Sequence, residues 1–332
     1  MADLHLDADA LGDGAAQVLP RLPGLEDILR LGSASPVSRT WRTALAEELG
    51  LRPWASVAPA RIAATALRPE AGEHPWFATP VHRSAALDHL RLHPAGLLTL
   101  PADELAALAA DFAQQYGVAG LALHPLCGGF LLSGFAACGV ECQEPAPFLG
   151  ARLPRALAQG PDAAQVLRLS GDCETWLHDH PVNRRRLQRG LLPVNGLWFW
   201  GGGTDGVPLP PTGDLPLQQR VFADDAFSMG LCTLAGGETQ QVPADYSALR
   251  ALVAESSDAQ APAVVVLDSV PRDARDAPLL RLDGSWWQPA LAALRNGQLS
   301  KLTLLVAGRR CTLRRWHLLR LWSRSKPWWQ CL

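Results

Sequence analysis

The chain has 332 residues, 48% of them hydrophobic and 19% charged, with a formal net charge of −2. That is enough apolar material for one large domain or two medium ones around a buried core, and the near-neutral charge excludes a global field aimed at nucleic acid or membrane. Seven singly scattered cysteines exclude a disulfide framework and read as reduced thiols of a cytoplasmic protein. The acidic start, Met1 to Gly14, lacks the basic and apolar regions of a secretory signal, and no run approaches the roughly 18 apolar residues of a membrane helix.

Residues 22–31 and 38–49 read as short helices, the second capped by Ser38 ahead of Trp41, Leu45 and Leu49. From Trp76 to His93 the pattern is strand-like. Residues 101–116 form the clearest amphipathic helix, with Leu105, Leu108, Ala109 and Phe112 on one face and Glu104 and Asp111 off it. Strands follow at 118–124 and 129–136. The Pro-, Ala- and Gly-rich stretch 143–172 marks a boundary between an N-terminal α+β region, 1–150, and an α/β region, 151–332. In the second region 172–190 reads as one helix, and 196–200 is a short apolar strand running into Gly201-Gly202-Gly203. Helices at 224–234, 246–256 and 287–296 surround an apolar strand at 263–268, and 301–306 with 312–321 reads as a closing hairpin. A strand apolar on both faces belongs in a sheet covered on both sides. The fold class is therefore α/β, a mixed sheet flanked by helices.

The densest motif is His178-Asp179-His180-Pro181-Val182-Asn183-Arg184-Arg185-Arg186, followed by Pro193-Val194-Asn195 and Leu197-Trp198-Phe199-Trp200-Gly201-Gly202-Gly203. Three glycines after a strand let backbone approach a ligand or another chain closely, and their N–H groups can form an anion-binding concavity. Asn183, Arg184, Arg185 and Asn195 would line it, arginine being suited to bidentate phosphate recognition. The plainer reading makes the glycines a loop and has His180 and Asn183 brace the helix end. The segment resembles the archaeal-type branch of cofactor-independent phosphoglycerate mutases, well over about residues 170–245 and vaguely over 76–135. The whole chain is also similar to proteobacterial regulators of pathogenicity factors of the RpfE type, through Thr79-Pro80-Val81-His82, Asp88-His89 and the Trp-x-Trp-Gly-Gly-Gly run.

The mutase resemblance implies a truncated alkaline-phosphatase-like fold, two divalent ions held by Asp and His, and a serine that takes the phosphoryl group. The residues depart from that pattern. Asp13-Gly14 follows no apolar strand, no histidine stands between His180 and His317, and Arg275 beside Asp268 opposes a cation. His82, Asp88, His89 and His93 form a second cluster that, with His178 and His180, would hold manganese or zinc only if the two regions meet. Ser269 beside Asp268 lacks the Gly-x-Ser-x-Gly turn of a hydrolase elbow.

From 309 to 326 there are seven positive charges and no acid, interleaved with tryptophans up to Trp329. That pattern suits an edge hairpin shielded by its arginines, a surface for a partner protein, or contact with nucleic acid or an anionic membrane. The sequence thus points to a non-catalytic regulatory or scaffolding protein without a cofactor. Its expected partner is a phosphorylated small molecule or another protein. The alternative is an active phosphomutase or phosphatase using manganese or zinc.

Overall fold

In the computed structural model the described residues are 19–36, 40–72, 74–85, 89–137, 139–153, 157–203, 217–255, 261–267, 277–306, 308–320 and 326–331. Asp13, Gly14, Ser38, Asp88, Cys138, Asp268, Ser269 and Arg275 lie outside them. The chain begins with α1 (Pro23–Leu31), β1 (Ser33–Pro36), α2 (Trp41–Glu48), α3 (Pro59–Leu67), β2 (Trp76–Ala85), β3 (Leu90–Leu97) and α4 (Ala102–Tyr116). It continues through β4 (Ala122–Leu126), β5 (Gly129–Ser133), β6 (Glu141–Cys142), β7 (Ala158–Gln159), α5 (Ala163–His178), α6 (Pro181–Gln188) and β8 (Gly196–Trp200). Then come β9 (Arg220–Phe222), α7 (Ala226–Leu234), β10 (Thr239–Gln240), α8 (Tyr246–Ala254) and β11 (Ala263–Val265). The last elements are α9 (Ala277–Leu282), α10 (Gln288–Arg295), β12 (Lys301–Val306) and β13 (Arg309–Arg314).

The α/β class stands, as antiparallel sheets flanked by helices together with a small parallel one. Its hub is β2, which pairs antiparallel with β5 through Trp76–Ala78, with β8 through Phe77–Val81 and with β3 through Val81–Ala85. One face of this sheet carries a core of Trp76, Phe112, Leu132, Leu177, Val182, Val194 and Phe199, so α4, α5 and α6 cover it. Pairing between β8 and β2 reaches across position 150. A second sheet, β10-β9-β11, is parallel, and a third, β1-β13-β12, is antiparallel.

Four expectations change on contact with this architecture. The helix expected over 172–190 is two, α5 and α6, because Pro181 has no N–H to continue the ladder and restricts the residue before it. Thr40 caps α2, accepting the Thr43 N–H at 3.3 Å, where Ser38 was expected to. The strand at 263–268 is short, Ala263–Val265, and lies at the edge of its sheet with Ala263 exposed, while Val264 and Val265 still pack against different cores on its two faces. The basic strand β13 is no edge: it sits between β1 and β12, and its arginines shield no free ladder.

Candidate functional site

The motif around residues 177–203 is built from the break between α5 and α6. His180 has extended backbone and caps α6, its Nδ1 accepting the Val182 N–H at 3.2 Å, with Pro181 at the first helical position. Proline there costs nothing because that N–H has no intrahelical partner. One turn in, Asn183 is 4% exposed. Its Nδ2 donates to Leu177 O and to Val194 O, both at 2.7 Å, and its Oδ1 accepts the Val194 N–H at 2.7 Å. The side chain therefore ties the end of α5 to the turn before β8. Asn195 extends the next ladder: its Oδ1 accepts the Arg83 N–H at 2.7 Å and its Nδ2 donates to Arg83 O at 2.6 Å. Arg184 and Arg185 point outward, exposed, from α6.

The glycines stand at the far end of β8. A strand rises about 3.3 Å per residue, so Asn195 and Gly201 are roughly 20 Å apart, and the seven candidate residues do not surround one ligand position. Gly201 and Gly203 have φ of 71° and 77°. The Gly201 carbonyl accepts the Ala60 N–H and the Gly203 carbonyl accepts the Gly139 N–H, both at 2.9 Å. A Cβ on Gly202 would stand 2.5 Å from Pro75 O and 2.7 Å from the Trp76 ring, so close packing over β2 requires glycine here.

Next to these glycines lies a group the sequence did not disclose. Arg42 forms a two-pronged ion pair with Glu144, at 2.5 and 2.6 Å, while its guanidinium covers the Trp41 ring at 4.3 Å and the Trp200 ring at 4.6 Å. Three chain segments meet there, joined by charge and cation–π attraction. A second such tie is the buried pair Glu104–Arg186, Nη1 to Oε2 at 2.5 Å, with Arg186 Nε donating to Leu192 O at 2.8 Å. Glu104, expected off the apolar face of α4, is 3% exposed. It stands four and eight residues before Leu108 and Phe112, on the same helical row, and it is buried because Arg186 meets it there.

Of the candidate metal ligands, His82 meets His93, while His180 packs elsewhere, against α4. His82 Nδ1 donates to Pro193 O at 2.8 Å, and its ring meets His93 edge-on at 5.6 Å. His93 Nδ1 accepts the Ala95 N–H at 3.1 Å. His89 is half-buried, and Asp88 lies outside the described residues. His180 packs against Trp176 at 5.1 Å and faces α4, its Nε2 standing 2.9 Å from Asp111 Oδ2, an electrostatic contact more than an aligned hydrogen bond. Among the described residues no three His, Cys, Asp or Glu side chains group as metal ligands. Burial pushes the Cys173 and Cys232 thiols up to about 12 and those of Cys142 and Cys311 up to about 11, so they stay protonated at neutral pH.

Burial also lowers the pKa of His180 below its ordinary 6.5, against the opposing pull of Asp111. The unfolded chain then takes up a proton that the folded chain resists. The contribution is complete above the ordinary value and is lost as pH falls below it. His124 and His317, also lowered by burial, act in the same sense. Urea midpoints measured between about pH 7.5 and pH 5 are expected to fall with pH. In a His180→Asn variant, which keeps a capping acceptor, the fall should be shallower; an unchanged slope would remove His180 from the explanation.

No family model matches the chain. A stretch of 62 residues is 37% identical to 2,3-bisphosphoglycerate-independent phosphoglycerate mutase of Methanothrix thermoacetophila, covering 19% of this chain and 16% of that one. A stretch of 66 residues is 33% identical to the probable enzyme of that name from Geobacter sulfurreducens, covering 20% and 16%. The match thus spans about a sixth of the length of these relatives. Among solved structures, cofactor-independent phosphoglycerate mutase of Thermoplasma acidophilum aligns over 94% of this chain and 88% of that one, at 17% identity and a TM-score of 0.37. A Pyrococcus horikoshii protein aligns over 88% and 80%, at 13% identity and a TM-score of 0.44. The chain carries a distant, partial similarity to cofactor-independent phosphoglycerate mutases.

Proposed function

We propose that the chain works by binding, as a non-catalytic regulatory or scaffolding protein built on a mutase-like substructure. The observation that carries this reading is the use made of the motif's polar side chains. Asn183 and Asn195 are committed to backbone groups, and His180 caps α6 through Nδ1. In a metal-dependent phosphoryl transfer such groups would face substrate or ion. What α6 presents outward is Arg184 and Arg185, with Leu187 60% exposed and Arg189 beside them. Such a face suits an acidic or phosphorylated partner, since arginine binds carboxylate and phosphate bidentately. The RpfE-type resemblance of the whole chain agrees with a regulatory role.

The second reading is an active metal-dependent phosphomutase or phosphatase, favoured by the local identity of 33–37% to the mutases. With its Asp and His ligand set complete, such an enzyme would take up divalent ions when they are supplied. The chain, equilibrated with excess manganese or zinc, freed of unbound metal by gel filtration and analysed by mass spectrometry, is expected to carry far less than one ion per molecule. One or two tightly held ions per chain would overturn the binding reading and favour the enzyme.

A further inference from the structure

After the central strand β13, residues Arg315–Leu319 form a single turn of 3-10 helix. In that geometry side chains three apart eclipse one another, which puts Trp316 and Leu319 on one face. They are 59% and 72% exposed, among the most exposed large apolar side chains of the protein. The turn is firmly held from behind. His317 is 3% exposed, its Nδ1 accepting the Arg314 N–H at 3.1 Å, and Leu318 packs into the core of the third sheet. Arg320 donates to Leu31 O at 3.0 Å, and its guanidinium lies 5.6 Å from the Trp316 ring. Arg314 and Arg315 flank the pair, are exposed, and make no ion pair among the described residues. No acidic residue occurs from 309 to 326.

We infer that this turn is a peripheral contact for an anionic lipid bilayer. An indole prefers the headgroup layer, where its apolar body and N–H are both accommodated. Leu319, eclipsed with it, reaches the acyl boundary, and the arginines meet lipid phosphates. The chain's net charge of −2 gives no general attraction to such a surface, so the contact depends on this local cluster. Single-stranded nucleic acid fits less well. It needs successive aromatic platforms along a groove, whereas this turn offers one exposed ring and an exposed aliphatic side chain with no role against bases. Among the described residues no helix is long and apolar enough to cross a membrane, and the turn would lie on the surface without spanning it. The inference is independent of the α6 face.

The test is flotation of the full chain with vesicles of phosphatidylcholine containing about a third phosphatidylglycerol, against phosphatidylcholine alone. Binding is expected to the anionic vesicles and to be weak with the neutral ones. Trp316→Ser and Leu319→Ser should each lower the partition coefficient about tenfold, the effect of one apolar side chain leaving the interface. Arg314→Gln with Arg315→Gln should abolish the preference for anionic lipid. All four positions are exposed, so unchanged thermal midpoints of the variants would confirm that folding is intact. The inference fails if the chain does not float, if neutral vesicles bind it equally, or if the serine variants bind like the parent. Retention by an oligothymidine column without vesicle binding would also overturn it, in favour of nucleic acid.

Discussion

Arg186→Ala is expected to lower the unfolding free energy by about 3–5 kcal/mol, the usual cost of removing one partner from a buried ion pair. Arg186 is 6% and Glu104 3% exposed. The variant leaves a buried carboxylate whose nearest remaining cation is Arg189, at 3.5 Å with its own side chain 62% exposed. It also strips Leu192 O of the Nε hydrogen bond. Replacing both partners by methionine should be much less costly than the single change, because no charge is then left buried. Urea unfolding of the two single variants and the double variant gives the coupling energy directly. A single-variant loss under about 1 kcal/mol would mean that the pair is solvated.

Asn183→Ala is expected to cost about 2–4 kcal/mol. It orphans the N–H and the carbonyl of Val194, each buried polar group costing about 1–3 kcal/mol without a partner. Leu177 O retains the His180 N–H at 3.2 Å, which limits the loss on that side. Asn183→Asp keeps an acceptor for the Val194 N–H but sets a carboxylate against two carbonyl oxygens, so it should be no milder. Arg184→Ala and Arg185→Ala, one and two residues away but exposed, should stay within about 0.5 kcal/mol. This contrast within three adjacent residues separates a structural tie from a ligand contact. Equal, small effects at all three positions would show that Asn183 does not hold the α5–α6–β8 junction together.

Periodicity made α4 and β8 legible, since one carries a row of apolar residues at helical spacing and the other is a short apolar run ended by glycines. Pro181 already marked the break between α5 and α6, and the row Glu104-Leu108-Phe112 already placed Glu104 on the covered face. Both signals were present and outweighed by the general pattern of their segments. Other features had no local signal. Arg42 and Glu144 are 102 residues apart, and Asn195 and Arg83 are 112 apart. Their pairing depends on how β8 docks on β2, and that docking is set by tertiary packing. The position of β13 in the middle of its sheet was likewise hidden, because its second partner, β1, lies near the other end of the chain. The motif His180 to Gly203 stood out in the sequence, but Asn183 turns inward and Gly202 packs closely for reasons visible only once the Val194 backbone and Trp76 are in place.

The proposal that this chain binds and does not turn over substrate is tested most directly by conversion of 3-phosphoglycerate to 2-phosphoglycerate by the full chain with added manganese. The binding reading predicts no conversion above the protein-free control, with or without metal. Metal-dependent isomerisation that disappears in His82→Ala or His180→Asn variants of unchanged stability would contradict it and establish the chain as an enzyme.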